Sequence, residues 1–126
     1  MAKIIANLLS IALLGVLFII PSNYLTGVSD EIVNLAEDTV DAVYREDWET
    51  CVQNMEDMNA QFQRDKEKLH MFLHHETVED IEVSMRSALQ LTHMQDQPQS
   101  LMELEHIISR ARYLKSIEKF SLFTLL

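Results

Sequence analysis

The 126-residue chain predicts an all-α fold, an N-terminal transmembrane helix followed by an antiparallel three- to four-helix bundle. Three observations point there. Two glycines and two prolines in the whole chain are too little punctuation for hairpins or sandwiches. Residues 4–20 form an uncharged apolar run, and beyond it apolar side chains recur one helical turn apart between short polar breaks. About 100 residues remain for one domain, which buries roughly 65% of the surface its unfolded chain exposes and leaves no room for a large cleft.

The first element is the run "IIANLLSIALLGVLFII", residues 4–20, in which twelve of seventeen residues are Leu, Ile, Val or Phe. On an insertion scale those twelve offer about −4 to −7 kcal/mol before Asn7 and Ser10 subtract. A helix of that length rises about 26 Å, so Tyr24 and Leu25 are expected to complete the span at the interface. Lys3 precedes the run and no Lys or Arg follows until Arg45, which predicts a single-pass cell-membrane protein, N-terminus inside and C-terminal domain outside. A secretory signal would share the Lys and the apolar run, but no A-x-A-like pair of small residues follows Ile20. The division is therefore 1–26 as signal-anchor and short linker, and 27–126 as an extracytoplasmic bundle.

Ser29 with Asp30 and Glu31 reads as a helix start after the linker-like residues 21–29, and Ile32, Ala36, Val40 and Val43 give helix A an inner face to Tyr44. Arg45, Glu46 and Asp47 form a turn capped by Asp47, because one rod from Ser29 to His74 would exceed the usual length of globular helices. Helix B, from about Trp48 to His74, carries Trp48, Met55, Phe62 and Leu69 seven apart, with Val52 and Leu73 at the complementary seam and Asn59 and Lys66 interrupting it. Cys51, Met58 and Phe72 widen the stripe, as in a helix packed against two neighbours. Thr77 and Asp80 make a capping box for helix C, whose inner face is Val78, Ile81, Met85, Ala88 and Leu89. Ser100 and Glu103 make another for helix D, with Leu101, Leu104, Ile108, Ala111 and Leu114 inward. The tail "FSLFTLL", residues 120–126, is expected to lie back along the bundle groove.

Twenty acidic residues against ten basic ones give a net charge of −10, which argues against nucleic acid. Cys51 is the only cysteine, so no disulfide framework staples the fold. It reads as a buried small hydrophobe, with a link between two chains as the alternative. Asp30, Glu31, Glu37, Asp38 and Asp41 read as a solvated face, and Trp48 as core. No Ser-His-Asp arrangement, glycine-rich phosphate loop or Cys-x-x-Cys occurs.

His70, His74 and His75 with Glu76 and Glu79 are the sharpest chemical candidate, since residues four apart on a helix share a face and could place two imidazoles on one zinc ion. "HETVE", residues 75–79, differs from the H-E-x-x-H of metalloproteases in having Glu79 where the second histidine stands. A capping box at Thr77 would break the helix between them, and histidines in the last turn of helix B suit its free carbonyls and dipole. Helix-end chemistry is the expectation. A metal-binding or metal-dependent hydrolytic domain using His70, His74 and Glu76, with His93 or His106, is the alternative.

The order of an N-terminal apolar run, "EDW" at residues 46–48, "FLHHETVEDIE" at 72–82 and "SIEKFSLFTLL" from Ser116 resembles a family of short single-pass membrane proteins from spore-forming Gram-positive bacteria, a domain of unknown function. That resemblance implies a membrane location and a helical outer domain, and it implies no active site. The expected function is a membrane-anchored, non-enzymatic interaction or structural module. Its partners would be the lipid bilayer through 4–20 and a protein or a second copy of the chain, without a cofactor or an evident small-molecule substrate.

Overall fold

Two chain reversals of the same construction set the order of the helices. In each, a non-glycine residue takes a left-handed conformation, Glu46 and Gln95 both at φ 57°. At the first, the Asp47 amide donates to the Ala42 carbonyl at 2.9 Å and the Glu46 amide to Val43 at 3.0 Å. At the second, the Asp96 amide donates to Leu91 at 3.0 Å and the Gln95 amide to Thr92 at 3.2 Å. These are paired Schellman bonds, which satisfy the free carbonyls of a helix end.

An aspartate then opens the next helix in both places. Asp47 Oδ1 accepts from the Thr50 amide at 3.3 Å and Oδ2 from the Thr50 hydroxyl at 2.7 Å, and Asp96 Oδ1 accepts from the Gln99 amide at 3.2 Å. Pro98 falls in the first turn after Asp96, where a missing N–H costs nothing. The turn over residues 45–47 with Asp47 as cap is as expected.

The computed structural model describes the backbone of residues 2–125 and the side chains of 2–14 and 24–117. Four helices and no strand lie within it: α1 (Ala2–Tyr44), α2 (Trp48–Phe72), α3 (His75–His93) and α4 (Gln97–Leu125). Each packs on the two that adjoin it in a ring, α1 on α2, α2 on α3, α3 on α4 and α4 on α1. Short turns make neighbours antiparallel. The α1–α2 and α3–α4 turns therefore share one end, the distal end. The α2–α3 turn lies at the other, proximal end, beside the part of α1 from which residues 2–23 extend.

The core draws on all four helices. Phe62, Met55, Met58 and Leu69 of α2 are fully buried, as are Val78, Ile81 and Met85 of α3, Leu104, Ile107 and Leu114 of α4, and Val43 of α1. Within α2 the inner stripe runs through Cys51, Met55, Met58, Phe62 and Leu69, while Trp48 and Val52 are half-buried at its edge. The seam is thus turned towards Cys51 and Met58. Ala36 and Ala42 on α1 are fully buried, and their small side chains let a neighbouring helix approach closely.

Three expectations need correction. Residues 21–29, read as a linker, are helical within α1, and Ser29 does not cap a helix. It is buried, and its hydroxyl donates to the Ala111 carbonyl at 2.6 Å, joining α1 to α4. Ser100 is likewise interior to α4 and fully buried, its Oγ without a partner among the described residues. Thr77 lies in the first turn of α3, which starts two residues earlier with His74 as cap and no side-chain cap bond.

Among the described residues no helix is long and apolar enough to cross a membrane. The anchor expected over 4–20 falls partly outside them, at the side chains of 15–20. The tail at 120–126 was expected to lie back along the bundle; its backbone continues α4 to Leu125, and its side chains are outside the described set.

Candidate functional site

The proximal end collects the chemistry that the sequence singled out. His70 lies in the last turn of α2, and Glu76 lies in the first turn of α3, each suiting the dipole of its helix end. Leu73 and His74 are extended and reverse the chain. Their backbone groups are used locally, the Leu73 amide donating to Leu69 at 2.9 Å and the His74 carbonyl accepting from Thr77 at 3.1 Å and Val78 at 3.3 Å.

Across this turn the His70 and His75 rings stack at 5.0 Å between centroids and 22° between planes. His75 Nε2 meets Glu79 Oε1 at 3.0 Å, both side chains largely exposed. His75 and Glu79 therefore share one continuous helix, and the break expected between them falls before His75 instead. His74 and Glu76 are exposed and join neither contact. Among the described residues no group of three or more His, Cys, Asp or Glu is arranged to hold a metal ion. His93 lies far along α3, and His106 on α4 faces Asp80.

A second group ties α1 to α2 beside this turn. The Tyr24 hydroxyl donates to Asp65 Oδ1 at 3.1 Å, and the Tyr24 and Phe72 rings meet at 6.1 Å and 51°. Lys68 Nζ stands 5.6 Å from the Tyr24 ring centroid, within cation–π range. Gln61 donates to Glu31 one turn further along. Tyr24, Gly27, Val28, Glu31 and Asp65 line an open depression of about 280 Å³. Asp65 occupies the column of α2 that includes Cys51, Met58 and Phe72, and the Tyr24 hydroxyl is what lets a carboxylate sit there half-buried.

Charged pairs cross the other helix interfaces. Glu82 on α3 accepts from Lys66 at 2.7 Å and from Gln63 at 2.8 Å on α2. The Lys66 bond, followed by that of Gln63, holds its carboxyl below the usual range. Asp80 Oδ2 faces Arg110 Nε at 2.8 Å and His106 Nε2 at 3.4 Å on α4. Arg112 reaches Glu37 and Lys115 reaches Asp30, each at 3.2 Å. The acidic face of helix A is therefore partly cross-linked to α4. Such exposed pairs fix register more than they add stability.

Cys51 is fully buried, and burial, with the Asp47 charge adding, pushes its thiol up. That matches its reading as a small hydrophobe and makes it a poor nucleophile. At the distal end, Trp48, Glu49, Val52 and Gln53 of α2 and Thr92 and His93 of α3 border an open groove of about 500 Å³.

Sequence reasoning missed the lengthwise distribution of charge, because it depends on which helix ends meet. The last ten residues of α1 and α3, the first ten of α2 and α4, and the two turns between them form the distal half. That half carries eleven carboxylates against Arg45 and Arg86. The rest of residues 24–119 carries nine carboxylates against seven Lys and Arg. The acidity of the domain is concentrated at one pole.

Comparison with curated proteins finds no match. Comparison with solved structures finds none either. The family described as "Domain of unknown function (DUF4363)" matches residues 19–124. This span takes in α2 and α3 whole, α1 from residue 19 and α4 to residue 124, with the paired groups at both ends of the bundle, and the chain belongs to that family.

Proposed function

We propose that the chain is a membrane-tethered, non-enzymatic helical module, anchored through residues 4–20 with its bundle on the outer face of a cell membrane. The resemblance implies a Gram-positive envelope. The observation that carries this reading is the surface of α1 before the bundle. Ile4, Ile5, Leu8, Leu9, Ile11, Leu13 and Leu14 are 54–66% exposed. At 100° per residue six of them cover about 200° of the helix surface, and Leu14 points into the remaining sector, which Lys3, Asn7 and Ser10 share. A surface helix needs an apolar stripe of little more than about 100°; one twice as wide is stable when largely surrounded by apolar material. Covering seven such side chains is favourable by roughly 10–20 kcal/mol at about 1.5–3 kcal/mol each, as large as the whole stability of a typical domain. Lys3 supports the inward orientation of the N-terminus.

A binding or scaffolding role is supported by the state of the reactive side chains. The carboxylates and cations at the helix interfaces are paired with one another, and Cys51 is buried. The apolar seam of α2 is spent inside the bundle, since Met55, Phe62 and Leu69 are buried, which leaves the outer faces for a protein partner. Protease added to intact cells tests the reading. The bulk of the chain should be digested while an N-terminal fragment stays with the membrane after alkaline carbonate washing. Protection of the bundle, or release of the whole chain by carbonate, would refute it.

A further inference from the structure

We propose that the proximal end of the bundle is a second, peripheral membrane contact: Met71 and Phe72, at the end of α2, seat against the lipid interface and stand the bundle upright with its acidic pole away from the bilayer. The inference rests on the tethered reading above.

The first argument is position. Tyr24 is four residues beyond Ile20, where the apolar run ends, so its Cα lies about 6 Å along the helix from the end of the expected span. The Tyr24–Phe72 ring contact at 6.1 Å brings the last turn of α2 to the same level. Side chains at that height meet the boundary of headgroups and acyl chains, where amphipathic elements bury about 5–10 Å of depth.

The second is exposure in the right place. Met71 is 77% exposed and Phe72 40% exposed, although Leu69 and Leu73 beside them are buried. Met71 and Phe72 thus lie outside the core that Leu69 and Leu73 close on either side of them. Lys68, His70, His74 and His75 surround these two side chains along the sequence, a mixture of aromatic and cationic groups suited to headgroups.

The third is charge, which fixes the orientation. Anionic lipid repels the distal half, with its eleven carboxylates against two cations, and has little to repel in the proximal half, with nine against seven. Tilting that brought the distal pole down would cost electrostatic energy within a Debye length of the surface.

The test uses the full chain in vesicles of phosphatidylcholine and phosphatidylglycerol. Met71→Cys and, as a distal control, Met94→Cys are each labelled with an environment-sensitive fluorophore, leaving native Cys51 buried and unlabelled; Phe72→Cys serves as a second proximal variant. A lipid carrying a quencher at headgroup depth should quench the labels at 71 and 72 several-fold more than the label at 94. Equal quenching at the three positions would overturn the inference. So would labels at 71 and 72 that neither lipid-borne quencher nor aqueous iodide reaches, which would place protein over them. Flotation separates the two levels: a chain that fails to float with vesicles refutes tethering and this contact together. One that floats without selective quenching at 71 and 72 refutes this contact alone.

Discussion

Replacing Glu46 and Gln95 by glycine should stabilise the protein, although glycine ordinarily weakens helical domains. Both residues are held at φ 57°, which costs an L-residue about 1–2 kcal/mol and glycine nothing. No side-chain hydrogen bond or ion pair among the described residues holds either one in place, so the exchange gives up no such contact. Glycine enlarges the freedom of the unfolded chain, which offsets about 0.4–1 kcal/mol of the gain. The net is about 0.5–1 kcal/mol per site and roughly 1–2 kcal/mol for the pair if the sites act independently. For a domain near 100 residues that raises Tm by roughly 4–15 °C. Thermal melting of the full chain in micelles, followed by circular dichroism at a helical wavelength, reads the shift. Glu49→Gly, in the first turn of α2, is the control and should lower stability by up to about 1 kcal/mol. A fall in Tm for Glu46→Gly and Gln95→Gly would refute the view that these two reversals are built on strained left-handed residues.

Phe62 is among the largest fully buried side chains, and Phe62→Ala should cost about 3–5 kcal/mol in chemical denaturation. Native Cys51 should fail to react with an aromatic disulfide reagent and should react fully once denatured, since it is both buried and raised in pKa. The carboxyls of Glu82, bonded by Lys66 and Gln63, and of Asp47, bonded by Thr50, are held below their ordinary values. A depressed carboxyl adds stability above its unfolded pKa and loses it as pH falls through the folded one. Tm should therefore drop as pH is lowered below about 4.5, the ordinary glutamate value, and Lys66→Met should make that drop shallower. Zinc or chelator should leave Tm unchanged; a rise with zinc would restore the metal reading of His70, His74 and Glu76.

The helices were legible because their apolar spacing is a property of whole segments. Val78, Ile81, Met85 and Ala88 on α3, and Leu104, Ile108, Ala111 and Leu114 on α4, are buried as their periodicity requires. Helix starts were harder, because a capping box is four letters long and occurs by chance inside helices. Ser100 and Glu103 fit it, yet Ser100 is needed in the core, and Asp96 starts α4 two residues before Pro98. That proline was the available signal, since it favours the first turn. The two reversals carry no glycine, so left-handed Glu46 and Gln95 left no mark in the composition. The histidines illustrate a limit of spacing as evidence. His70 and His75 do meet, by stacking across a turn that a periodic reading cannot place, while His74 spends its backbone on reversing the chain.

The long first helix has a mechanical consequence. From Ala2 to Tyr44 its 43 residues form one helix about 64 Å long, and Pro21, which has no N–H to complete the helical ladder, stands between the oily part and the part clamped by its neighbours. A lean of the oily end is passed along the helix towards the clamped part, where Ser29 grips the α4 backbone, with Pro21 the place where the helix bends most easily. Any change in how the outer stretch leans is then shared between bending at Pro21 and sliding between α1 and α4.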